Sequence, residues 1–260
     1  MKPPQNLQSD STLTVCLTPA DFETLPHKDL GEATCVVFDV LRATSSMLNA
    51  LENGARAILP VETIDEALVR RQADPTLLLA GERQGLRIRG AQAGGIDFDL
   101  GNSPREFAPE RVRGKQIAMT TTNGTRALRA CGRAASVLVG ALLNLEALAA
   151  GILRQRPRHL VVVCSGTFEE ASLEDALAAG ALCERIWPLY APGQVADSAH
   201  IARLLYEAAK PDFEGVFRRS RNARRLAANP ELRDDVAFCL RRDVLDFVAV
   251  MGPDGRVSRG

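Results

Sequence analysis

The chain has no excess of charge, almost no histidine and no paired cysteine motif, and each shortage removes a class of function. The 32 Lys and Arg balance 32 Asp and Glu. No overall field therefore favours nucleic acid or an anionic membrane surface, and any anion must be held by a local site. Histidine occurs three times, at His27, His159 and His200, never at metal-ligand spacing with another histidine or a cysteine. That argues against zinc and against a phosphohistidine mechanism. The cysteines Cys16, Cys35, Cys131, Cys164, Cys183 and Cys239 include no Cys-x-x-Cys pair, and several lie in apolar runs where a buried reduced thiol is expected. No apolar run approaches the roughly 18 to 20 residues that cross a bilayer. Met1 to Ser11 is polar and Pro-bearing, without the apolar centre of a signal peptide. These absences predict a cytoplasmic protein with neither nucleic acid nor membrane as partner.

What is present is enough apolar material for a core. With 260 residues at 46% hydrophobic content, the chain can fold as one large domain or two intimate small ones. Short apolar runs alternate with helix-period segments as far as Trp187, which predicts an α/β fold, layered α/β/α around a mostly parallel sheet. Strands are expected at Leu13 to Leu17, Ala33 to Phe38, Ala57 to Val61, Leu77 to Ala80, Gln116 to Met119, Val137 to Gly140 and Leu160 to Cys164. Helix starts are marked by Thr63-x-x-Glu66, Ser103-Pro104-x-Glu106 and Ser172-x-x-Asp175, and Gly54 has the place of a left-handed residue after a helix. Beyond Ala191 the pattern is helical, at Ser198 to Lys210 and Glu214 to Ala228, with one more strand at Val248 to Val250. The division expected is a polar tail over 1–12 and a single domain over 13–260. An echo between the segments starting at Val36 and Val161 allows two similar half-domains with a division near 130–160, and equally allows two ordinary βα units.

Four polar clusters follow predicted strands, and the carboxyl ends of strands are where open α/β sheets bind ligands. The first runs Asp39-Val40-Leu41-Arg42-Ala43-Thr44. Asp supplies a hard oxygen for Mg²⁺, Arg a planar fork for phosphate, and the helix start its amides; the same residues could also be a cap with a surface ion pair. The second is Gly81-Glu82-Arg83-Gln84-Gly85, followed by a glycine-rich loop with Asp97, Asp99 and Gly101-Asn102-Ser103-Pro104. Glu82 is a candidate metal ligand and Arg83 a candidate anion clamp, against a plain turn with a solvated pair. The third, Thr120-Thr121-Thr122-Asn123-Gly124-Thr125-Arg126, can cradle phosphate through backbone amides and hydroxyls, or can simply be an Asn-Gly turn with capping threonines. It is no Walker A loop. The fourth, Ser165-Gly166 through Glu174-Asp175, offers carboxylates that either cap a helix or meet Asp39 across neighbouring strand ends.

Taken in order, Val37-Phe38-Asp39-Val40-Leu41-Arg42-Ala43-Thr44, Gly81-Glu82-Arg83, Asp99-Leu100-Gly101-Asn102-Ser103-Pro104, Thr121-Thr122-Asn123-Gly124-Thr125-Arg126 and Leu173-Glu174-Asp175-Ala176 resemble the 2-phosphosulfolactate phosphatase family, from about Thr14 to Asp243. The resemblance implies a Mg²⁺-dependent phosphoric monoester hydrolase acting on 2-phospho-3-sulfolactate, a step of coenzyme M biosynthesis. It departs from the family's pattern in the long stretch Leu86 to Ile96 and in Ser165 before Gly166, both of which bear on the organic part of the substrate. The expected roles are these: Asp39, Arg42 and Arg126 in catalysis; Asp39, Glu82, Glu174 and Asp175 at the metal; and Arg83, Asn102, Ser103, Thr121, Thr122, Asn123, Gly124, Thr125, Ser165 and Gly166 at the substrate. The partner expected is a small-molecule phosphate ester, and a homodimer is left open. Direct attack by Asp39 and attack by water remain alternatives, as do a non-catalytic module that senses a phosphorylated or sulfonated metabolite and a phosphate-ester lyase or isomerase.

Overall fold

Residues 33–38 alternate between two hydrophobic cores. In the computed structural model, which describes residues 11–190 and 194–260, Val36 and Phe38 pack into a core with helices Leu145–Gln155, Leu173–Ile186 and Asp197–Ala209. Cys35 and Val37 pack into a second core with helices Ala43–Glu52 and Gly124–Ala130. A strand covered on both faces has no solvent side to mark with polar residues, so it reads as an unbroken apolar run. The result is the layered α/β arrangement, with helices on both sides of the sheet.

Among the described residues the sheet has ten strands: β1 (Thr12–Cys16), β2 (Ala33–Phe38), β3 (Ala57–Pro60), β4 (Leu78–Arg83), β5 (Leu86–Arg87), β6 (Gln116–Thr120), β7 (Ser136–Gly140), β8 (His159–Cys164), β9 (Ala249–Met251) and β10 (Val257–Arg259). Their order is β1-β8-β2-β7-β9-β10-β3-β6-β4-β5. Strands β1, β8, β2 and β7 are mutually parallel, as are β3, β6 and β4. The pairings β7–β9, β9–β10 and β10–β3 are all antiparallel, so the two parallel groups run in opposed directions. Strands β7 and β8 join β1 and β2 rather than β3 to β6, so the parallel groups are not consecutive halves of the sequence.

All seven strands expected before Trp187 are present, with ends shifted by a residue or so, except that β4 runs on through Gly81, Glu82 and Arg83. It then turns at Gln84-Gly85 into β5, a two-residue strand with no apolar pattern to announce it. Both turn residues have positive φ (55° and 81°), the conformation a tight two-residue hairpin requires. Thr63 caps its helix as expected, accepting from Glu66 N at 3.0 Å while Glu66 accepts from Glu62 N. Gly54 has φ +90° just past the helix Ala43–Glu52. The Ser103-Pro104-x-Glu106 signal yields only one 3₁₀ turn, Pro104–Glu106, because the Ser103 hydroxyl is drawn to Asp235 and Glu106 to the Gly101 amide. The expected helix over 214–228 is two, Phe213–Arg218 and Arg221–Ala227, since Ser220 restarts the chain by accepting from Ala223 N. Helix Arg233–Cys239 and strand β10 were not foreseen. All six cysteines are buried and free. No helix among the described residues is long and apolar enough to cross a membrane. Residues 1–10 of the expected tail lie outside the described residues.

Candidate functional site

At the end of β2 the chain turns through Asp39 into the helix Ala43–Glu52. Thr44 closes this turn: its N–H and hydroxyl donate to Asp39 O at 3.0 and 2.9 Å, and the same hydroxyl lies 3.1 Å from Asp39 N. One carboxylate oxygen of Asp39, Oδ1, accepts from Ala43 N at 3.2 Å. The other, Oδ2, faces the turn after β6, where a Cβ on Gly124 would stand 2.5 Å away. Glycine is what lets that turn close on Asp39. Four strands separate β2 from β6 in the sheet order, so this contact is made across a cleft and not along the sheet.

Along the sheet the join is between β2 and β8. Asp175, at the start of helix Leu173–Ile186, accepts from Val40 N at 2.8 Å and from Gly166 N at 3.3 Å. Ser165 N and its hydroxyl both donate to Phe38 O at 2.8 Å. These residues tie the two strand ends together, and Asp175 does so instead of closing a capping box with Ser172, whose hydroxyl has no partner. On the opposite wall Glu82 uses both oxygens: Oε1 accepts from the Thr122 amide and hydroxyl (2.8 and 2.7 Å), and Oε2 from Gly85 N at 2.6 Å.

Arg42 is 3% exposed. Its guanidinium donates to Asp235 Oδ2 and to Gly85 O, both at 2.7 Å. Asp235 is wholly buried and its other oxygen accepts from Ser103 Oγ at 2.6 Å and Arg105 Nε at 2.9 Å. A buried guanidinium with a buried carboxylate partner is fixed in orientation, and its remaining N–H donors are available to an oxyanion.

Together these groups enclose a cleft of about 120 Å³ lined by Asp39, Arg42, Glu82, Asn102, Thr122, Asn123 and Gly166, and on the far side by Asn222, Arg225 and Asn229. The side-chain oxygens of Asn102 and Asn123 are buried without a protein partner, an arrangement that native proteins seldom leave unless a ligand, ion or water completes it. Burial pushes the Asp39 carboxyl up to about 7; the Ala43 amide opposes this, the neighbouring Glu82 and Glu174 charges add to it, and Arg42 lowers it. Asp175 is raised well above the carboxylate range by burial and by Glu174 and Asp39. A cation would relieve this like-charge crowding. No group of three or more His, Cys, Asp or Glu side chains among the described residues forms a ready metal cage. The donor set fits a cation that takes one or two carboxylates and fills its other positions with amide oxygen, water and substrate, the usual manner of Mg²⁺.

Several expected residues are placed elsewhere. Arg83 turns to Thr120 Oγ1 at 3.0 Å and to its own strand's backbone. Arg126 is a third exposed and pairs with Glu23 and Glu169. Thr121 and Thr125 bond each other across the helix start. Glu174 sits behind the cleft wall, accepting from Asn222 Nδ2 at 2.6 Å. Ser103 faces an adjoining hollow with Arg105 and Arg87. Conversely Gln84, Asn222, Arg225, Asn229 and Asp235 were not anticipated. The signal for two of them was the i, i+3 spacing of Asn222 and Arg225, which puts both on the cleft side of helix Arg221–Ala227; Asn229 follows the end of that helix.

Residues 19–253 match the family model described as 2-phosphosulpholactate phosphatase. A protein of Caldanaerobacter subterraneus subsp. tengcongensis, named probable 2-phosphosulfolactate phosphatase, is 38% identical over 231 residues, 87% of this chain and 91% of its own. Similarly named proteins of Synechococcus sp. strain CC9605 and Thermotoga maritima are 39% and 35% identical over 226 and 218 residues, covering 85% and 84% of this chain and 90% and 88% of theirs. With a match over nearly the whole described fold and relatives of this similarity, the chain belongs to the 2-phosphosulpholactate phosphatase family.

Proposed function

We propose that the protein hydrolyses a small anionic phosphate monoester to its alcohol and inorganic phosphate in the cleft around Asp39. The substrate we infer is 2-phospho-3-sulfolactate or a related phosphorylated hydroxy-acid, as the names of the relatives suggest, with Mg²⁺ as cofactor and a place in coenzyme M biosynthesis if the first is used. The observation that carries the reading is the confrontation of Asp39 with Arg42 in a cleft that holds two unpartnered amide oxygens. Arg42, held by Asp235 and Gly85 O, presents its free donors to phosphate oxygens. The Asp39 carboxylate, at the end of β2 and facing the cleft, would either take a proton from an attacking water or attack the phosphoryl group directly. Glu82, fixed by amides on both oxygens, shapes the wall opposite. Asp39 and Glu82, with the amide oxygen of Asn102 or Asn123, would hold Mg²⁺, which when bound supplies charge neutralisation for the transferring group. Phosphate release from phosphorylated hydroxy-acids, lost in excess chelator and restored by Mg²⁺, is the expected outcome. Equal rates with chelator would remove the cation, and no release from any such ester, with or without Mg²⁺, would remove the hydrolysis.

A further inference from the structure

The tight turn at Gln84-Gly85 carries two arginines from distant parts of the chain. Arg42 donates to Gly85 O at 2.7 Å, and Arg225, from helix Arg221–Ala227, donates to Gln84 O. A Cβ on Gly85 would lie 3.9 Å from the Arg225 guanidinium and 4.0 Å from that of Arg42. The two guanidiniums thus flank one glycine at the cleft, and all three residues line it. Their situations differ. Arg42 is buried with Asp235 as its carboxylate partner, whereas Arg225 is exposed and, among the described residues, bonds a backbone carbonyl. A guanidinium has five N–H donors, and Arg225 at the cleft wall has no carboxylate partner among the described residues. With Arg42 assigned to the phosphoryl group, Arg225 is left to serve a further anion.

We propose that Arg225 sets substrate selectivity by receiving a second oxyanion carried beside the phosphate ester, while Arg42 stays with the phosphoryl end. The inference rests on the hydrolytic reading for its substrate but not for its binding geometry. Gly85 is part of the device: any side chain there would enter the space between the two guanidiniums, and its positive φ would be strained besides.

Three esters of one skeleton test the assignment: phospholactate, with a carboxylate on the ester carbon; its counterpart with a sulfomethyl group in place of the carboxylate; and isopropyl phosphate, with neither. Arg225→Ala should lower kcat/KM on at least one two-anion ester at least about tenfold more than on isopropyl phosphate, the loss typical of a charge-assisted bond. The ester that falls further identifies the oxyanion. Arg225→Lys should recover part of the discrimination, and Arg224→Ala, a neighbour outside the cleft bonded to Arg219 O, should leave the ratio unchanged. If Arg225 merely braced the turn, its loss would slow all three esters alike, and that result overturns the proposal. Calorimetric binding of the same esters separates this from a failure of the hydrolytic reading. A wild type that binds a two-anion ester without releasing phosphate, and loses that affinity selectively in Arg225→Ala, sinks the hydrolysis and keeps Arg225. Equal affinity for all three esters, or no binding of any, sinks Arg225.

Discussion

Gly124 and Asp39 share a contact in which neither can change freely. A methyl group at 124 would meet Asp39 Oδ2 at 2.5 Å and Ala43 Cβ at 2.6 Å, closer than real Cβ atoms approach, so Gly124→Ala must push the β6 turn away from the carboxylate. Overpacking of this kind costs about 1 to 3 kcal/mol, and the rate should fall at least about tenfold; unchanged urea midpoint and unchanged turnover would show that the turns are not in register. Asp39 itself should be destabilising when charged. Its folded pKa, about 7 against 3.8, lies above the unfolded value, so the folded state binds the extra proton and stability falls as pH rises from about 4 to about 7. In metal-free buffer Asp39→Asn should therefore melt higher than wild type at pH 8, with the gap closing or reversing at pH 5. A gap independent of pH would place the buried charge elsewhere. At this scale the sequence was informative where a residue ends an apolar strand, as at Asp39, and silent where a partner arrives from far along the chain, as Asp235 does for Arg42.

Helices Leu173–Ile186 and Asp197–Ala209 are joined at one end by Glu184, which accepts from Arg203 Nε at 2.6 Å and Lys210 Nζ at 2.7 Å. Those two bonds hold its carboxyl down to about 2 against an ordinary 4.5. Because the folded pKa is the lower one, the stabilisation is present above pH 4.5 and is lost as pH falls towards 2. Glu184 is partly exposed, so Glu184→Gln should cost only about 1 kcal/mol or less at pH 7, with the difference in urea midpoint shrinking by roughly half at pH 3 and still closing towards pH 2; an equal difference at pH 7 and pH 3 would mean that the charge plays no part. The elements themselves were legible wherever burial on both faces or a local cap specified them: β2, β8 and the Thr63 cap follow from residues within a few positions. The misses differ in cause. Strand β5 follows from the two-residue turn at Gln84-Gly85 and the break at Arg219-Ser220 from the Ser220 cap, both local but with no apolar period to announce them, whereas strand β10 pairs with β3 from far along the chain. Arg83 and Arg126 were candidates for an anion because arginine near a strand end is ambiguous, and only the fold reveals that Thr120 and the Glu23–Glu169 pair take them.

Across the whole molecule, two parallel strand groups of opposed direction bring their carboxyl ends to one cleft, with β9 and β10 joining them. The groups contribute different chemistry: β2 and β8 supply Asp39, Arg42 and Gly166, while β4 and β6 supply Glu82, Thr122 and Asn123. The C-terminal helices, whose sequence suggested only a closure of the domain, form the third wall through Asn222, Arg225 and Asn229 and fix Arg42 from behind through Asp235. Asp235→Asn should accordingly lower kcat more than it raises KM, since it disturbs an arginine already at the phosphoryl end; a loss confined to KM would make Asp235 a binding contact only. The central claim is that Asp39 performs the chemistry, and it is tested most directly by Asp39→Asn, which keeps the shape of the turn and removes the charge. Phosphate release from phospholactate in saturating Mg²⁺ should drop roughly 100-fold or more in a variant whose circular dichroism matches wild type. A folded Asp39→Asn protein that retains most of its Mg²⁺-dependent turnover would contradict the account.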